Sequence, residues 1–95
     1  MNITHLHDSA AALSVKSLFK TDTCQARSIF IKKGEELKEH ISPVTALLVC
    51  TKGKVFYSEV TGLEKELSQN DYLEIPLQVR HKLKGLEDAE LLLFS

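Results

Sequence analysis

The sequence predicts an all-β domain built as a sandwich or barrel. Three observations carry this. Short runs rich in β-branched and aromatic residues recur along the chain, among them Ile29-Phe30-Ile31 and Val55 to Val60. Turn-forming residues separate these runs at close intervals: Thr21-Asp22-Thr23, Lys33-Gly34-Glu35, Lys52-Gly53-Lys54, Thr61-Gly62 and Ser68 to Asp71. Beyond the first dozen residues, no stretch has the apolar spacing of an amphipathic helix.

The elements follow in order. Asp8 and Ser9 are placed to cap a short helical turn through Ala10, Ala11, Ala12 and Leu13. Val15, Ser17 and Phe19 then alternate with Lys16, Leu18 and Lys20, the period of a strand. Cys24 to Lys32 is a second strand, and Leu37 to Ile41 a short third one. Pro43 lacks a backbone donor and marks a bend before the apolar strand Val44 to Thr51. Val55 to Val60 and Leu63 to Leu67 form a hairpin around Thr61-Gly62. Tyr72 to Ile75, Arg80 to Lys84 and Ala89 to Phe94 complete the set.

The bulk properties narrow the function. With 95 residues the chain is long enough for one domain and one modest core. Twelve basic residues face thirteen acidic ones, and no basic stripe is evident, so no nucleic-acid partner is expected. The longest apolar run, Val44 to Cys50, is interrupted by Thr45 and falls far short of the roughly 20 residues that span a bilayer, so no membrane role is expected. The N-terminus lacks a basic region followed by an apolar stretch and does not read as a signal peptide. Cys24 and Cys50 have no metal-type spacing and are expected to be reduced thiols in a cytoplasmic protein.

Two segments carry more specific information. Gly34, His40 and Gly53 match the pattern G-x5-H-x-H-x3-E-x6-G, with Ser42 in place of the second His and Ala46 in place of the Glu. Pro76 and His81 match G-x5-P-x-G-x2-H-x3-N, with Asn70, Gln78 and Gly85 at the other fixed positions. These patterns resemble the two signature motifs of the cupin superfamily. The resemblance covers residues 25 to 94 and implies a small single-domain cupin over 1–95, with an N-terminal extension 1–24. Its fold would be a double-stranded β-helix, the jelly-roll barrel of RmlC-like proteins, preceded here by the short helical turn. It also implies a homodimer and a divalent metal (zinc, iron, nickel or manganese) held by motif side chains. Only His40 and His81 remain of the four ligands, so the metal site is degenerate and no cofactor is expected.

On a strand, residues of equal parity share a face. His40, Ser42, Val44, Ala46, Leu48 and Cys50 would therefore face the interior together if Pro43 keeps the register. The expected site is a pocket with His40, Ser42, His81 and Tyr72 at its polar end and Val44, Leu48 and Val79 on its apolar wall. An apolar ligand fragment, or side chains such as Phe30 or Phe56, would fill the space below. His5 and His7 have the H-x-H form of a metal pair, but lie at a terminus expected to be mobile. The function expected is small-molecule binding, as a sensor or accessory module. A metal-dependent dioxygenase or isomerase using His40 and His81, and a structural or oligomerisation domain, are the alternatives. Whether the chain is an enzyme stays open.

Overall fold

The computed structural model describes residues 1–8 and 10–95, and the side chains of Thr4 and His40 lie outside the described set. Among the described residues, nine strands form two antiparallel sheets. The first sheet has the order β1 (Leu13–Lys20), β2 (Gln25–Ile31), β9 (Ala89–Phe94), β4 (Ala46–Lys52), β7 (Tyr72–Ile75). The second has the order β3 (Glu36–Ile41), β8 (Arg80–Gly85), β5 (Val55–Glu59), β6 (Glu64–Leu67). Every element read from the sequence as a strand is present. No described helix is long and apolar enough to cross a membrane.

The core lies between the sheets and follows the period-two pattern. Ile29 and Ile31 of β2, Ala46, Leu48 and Cys50 of β4, and Ala89 and Leu91 of β9 are buried from one side. Val55 and Tyr57 of β5, Leu67 of β6, and His81 and Leu83 of β8 meet them from the other. Strand β8 shows the rule most plainly: His81, Leu83 and Gly85 are buried, while Arg80, Lys82 and Lys84 are exposed. Phe30 and Phe56 have the opposite parity to their buried neighbours. They sit half-buried on the outer faces, so the expectation that either fills the barrel is corrected.

Two irregularities position the site. In β3, Leu37 pairs with Leu83 but His40 pairs with His81, so a bulge inserts one extra residue. Without it Glu39 would stand opposite His81, because a one-residue slip exchanges the two faces. In the segment between β3 and β4, the backbone N–H of Gln78 donates to the Ser42 carbonyl at 2.8 Å. Strand β4 begins only at Ala46, and Val44, 48% exposed, borders the cavity at its rim rather than deep on its wall. The bend at Pro43 breaks the run of parity that was expected through residues 40 to 50.

The N-terminal segment also differs in detail. One turn of 3-10 helix spans Ile3–His5, upstream of the expected position. Asp8 Oδ1 accepts from the Ala10 amide at 2.9 Å and so does cap a turn, while Ser9 lies outside the described residues. Leu13 is already paired with Ile31 in the sheet, and this pairing overrides the local helical preference. His7 is not mobile. Its Nδ1 is 2.7 Å from Ser14 Oγ, and its Nε2 is 2.8 Å from the fully buried Ser28 Oγ. Its ring lies 6.1 Å from that of Phe30, fixing the N-terminal segment against the outer face of β1 and β2.

Candidate functional site

An open cavity of about 380 Å³ lies at one end of the barrel, between the two sheets. The β1–β2 hairpin forms one rim, and residues 41 to 44 form the other. The hairpin is well braced. The Thr21 amide donates to the Cys24 carbonyl at 2.7 Å, and Thr21 Oγ1 accepts from the Thr23 and Cys24 amides. The floor is apolar, made by Ala46, Ile75 and Leu93. Ser42 and His81 reach the cavity from one side and Arg27 from the other.

His81 is 3% exposed. Its Nδ1 lies 3.1 Å from the Val79 carbonyl, which can only accept, so Nδ1 carries the proton. In the neutral imidazole the lone pair is then on Nε2. The ring stacks on Tyr57, with centroids 5.7 Å apart and planes at 29°. The Tyr57 hydroxyl donates to Glu59 Oε2 at 2.6 Å, and Thr61 Oγ1 donates to Glu59 Oε1 at 2.9 Å. Burial, the hydrogen bond to Glu59 and that carboxylate's charge together push the Tyr57 phenol well above its ordinary range. Ser42 Oγ donates to the Val44 carbonyl at 2.5 Å, which leaves the hydroxyl oxygen as an acceptor only.

The structure brings together only part of the predicted set. Ser42 and His81 line one cavity. His40 stands directly across from His81 in the β3–β8 ladder, but its ring is outside the described residues. Leu48 is fully buried in the core and does not reach the cavity. Val79 lies just before β8 and contributes its carbonyl rather than an apolar wall. Tyr72 is 71% exposed and borders a separate outer hollow with Leu47 and Phe94. Two further residues belong to the site without a motif to mark them. Arg27 shares parity with Ile29 and Ile31, and Glu59 shares parity with Tyr57 and is the register partner of His81. Both were legible by the alternation rule once their strands were placed.

Cys50 is fully buried, with Sγ 3.5 Å from the Lys52 carbonyl, and burial raises its thiol pKa. It is a core thiol rather than a reactive one. The described side chains offer a metal few donors. Among the described residues, no three His, Cys, Asp or Glu side chains converge. Ala46 has no donor, the Ser42 hydrogen is committed to Val44, and both carboxylate oxygens of Glu59 already accept hydrogen bonds.

Comparison with known proteins places this architecture. A cupin superfamily protein from Desulfitobacterium hafniense superposes with a TM-score of 0.82 at 18% identity, over 87% of this chain and 75% of that one. KdgF from Halomonas sp. gives 0.82 at 21% identity, over all of this chain and 91% of that one. An RmlC-like cupin with a double-stranded β-helix fold from Methanocaldococcus jannaschii gives 0.81 at 17% identity, over 94% and 84%. The chain therefore has the fold of a small cupin, a double-stranded β-helix. No protein-family model matches the sequence, and no curated protein matches it.

Proposed function

We propose that the protein binds a small molecule in the open end of its barrel, as a sensor or accessory module. The cavity carries this reading. Its volume of about 380 Å³ lies within the range of roughly 300–1,000 Å³ that small-molecule sites occupy. An apolar floor with a few convergent polar groups is the usual composition of such sites. A homodimer is part of the reading, supported by the partly exposed apolar residues Leu47, Phe94 and Phe19 on the outer side of the five-stranded sheet.

The test is a fragment screen read by backbone amide shifts. Bound fragments should move the amides of Ala46, Ile75 and residues 41 to 44. Ala46→Val, which narrows the cavity, should weaken them while the thermal melt confirms a folded barrel. A screen that moves no cavity amide would favour the structural or oligomerisation reading.

One observation favours a second reading, a metal-dependent enzyme. The bulge in β3 brings His40, not Glu39, opposite His81. Elemental analysis of protein made without a polyhistidine tag would separate the two. One equivalent of zinc, iron, nickel or manganese surviving dialysis would favour the enzyme.

A further inference from the structure

We propose that the ligand of this cavity is a small organic acid and that Arg27 clamps its carboxylate. The inference rests on the binding reading above and adds the charge class of the ligand.

Arg27 sits half-buried on the inner face of β2, at its open end, in line with the buried Ile29 and Ile31. A cation on such a face needs a counter-charge or water to offset its desolvation. No carboxylate of the described residues supplies the counter-charge. Among the described residues, the ion pairs are Lys54 with Glu66 and Arg80 with Glu39, both elsewhere, and no carboxylate lies within ion-pair distance of Arg27. At the rim, Lys20 and Asp22 carry opposite formal charges, and Arg27 is the other charged side chain of the lining.

The guanidinium is also aimed. Arg27 Nη2 donates to Gln25 Oε1 at 2.7 Å. Gln25 is itself held by two backbone bonds to Ser95, of 2.7 and 2.9 Å. Of the five N–H donors of the fork, one is committed to Gln25, and the geometry of the others suits a planar, two-oxygen acceptor. The floor of Ala46, Ile75 and Leu93 then calls for an apolar body behind the acid group. A bare inorganic anion would leave that floor uncovered.

The test titrates butyrate and benzoate against their neutral amides, butyramide and benzamide, with inorganic phosphate as a third arm. Binding is read by amide and Arg27 Nε–H shifts in the full chain. The acids should move the Arg27 Nε–H and the cavity amides, and bind about tenfold or more tightly than the amides. Arg27→Gln should remove that preference. Arg27→Lys, which keeps the charge but not the fork, should retain part of it. Lys54→Gln, a remote charge change, should leave it intact. The amide spectrum of each variant shows directly whether the barrel is folded.

Amides that bind the cavity as well as the acids would overturn the anion clamp and leave the binding reading standing. Phosphate binding as tightly as benzoate would overturn the organic-acid assignment. If neither acid nor amide moves a cavity resonance, both the clamp and the binding reading fall.

Discussion

The His81 imidazole lies stacked on the Tyr57 ring, centroids 5.7 Å apart, and the Tyr57 hydroxyl donates a hydrogen bond to Glu59. This links the cavity wall to the most buried aromatic of the core, since Tyr57 is 0% exposed. A change at Tyr57 therefore tests packing and the polar wall together. Tyr57→Phe keeps the ring and removes one hydrogen bond, and should cost about 1 kcal/mol. The raised phenol pKa adds a pH signature. In the unfolded chain a tyrosine ionises near roughly pH 10, whereas the folded phenol stays protonated well above that. Stability from this group is thus complete below the unfolded value and falls as pH rises above it. Urea denaturation through the alkaline range should show this loss in the parent and a weaker one in Tyr57→Phe. Equal alkaline loss in both would assign it to other groups.

The second motif has lost its glycines but kept their backbone. Asn70 and Gln78, which replace the two glycines, have φ of 74° and 64°, the only positive values among the described non-glycine residues. A side chain in this region costs roughly 1–2 kcal/mol, less for Asn, whose short polar side chain tolerates it. Gln78→Gly should therefore stabilise the fold by about 0.5–1 kcal/mol, after the extra freedom glycine gives the unfolded chain is subtracted. Asn70→Gly should be close to neutral. Denaturation midpoints of the two variants check the order, and a destabilised Gln78→Gly would show that the glutamine side chain contributes more than its backbone costs.

The first motif keeps its glycines, and they are not equivalent. A Cβ on Gly53 would lie 2.1 Å from the Asp88 carbonyl oxygen, at φ +79°. Gly34 has φ +86° with nothing within 4 Å of such a Cβ. Gly34→Ala should cost about 1–2 kcal/mol, from backbone conformation alone. Gly53→Ala must also push apart two backbone segments, and should cost about 3 kcal/mol or more. Thermal melts of the pair give the difference, and similar losses would mean that the Asp88 segment yields easily.

The fold was legible because strand period, turn residues and motif spacing all pointed the same way. The site was less so, for reasons that can be named. Parity placed Ala46, Leu48 and Cys50 correctly, but the bend at Pro43 took Val44 out of the series. Tyr72 lies one residue before Leu73 on β7, and that single step sends its ring outward. The bulge that aligns His40 with His81 leaves no mark in composition, since it depends on how two strands far apart in sequence pair. Arg27 is the opposite case. Its parity was readable, but a charged residue draws no notice in a search for core positions.

His7 gives the last expectation, because its ring joins three parts of the chain. It bridges Ser14 of β1 and the buried Ser28 of β2, and so closes the N-terminal segment over the outer face of the sheet. Burial lowers its pKa most; Glu90 opposes this with its negative charge, and Lys16 adds to it. A group whose folded pKa is depressed contributes stability that is present above its unfolded value and lost as pH falls. For histidine that unfolded value is near roughly 6.5, so the segment should loosen as the solution is taken from neutral towards about pH 5. Hydrogen exchange at the amides of residues 5 to 16 is the local readout. Exchange there should accelerate in acid more than at the core strands β4 and β9. His7→Ala should abolish the pH dependence and cost about 1–3 kcal/mol, because the buried Ser28 hydroxyl loses its partner. If His7→Ala loosens in acid as the parent does, the latch is held by another titrating group.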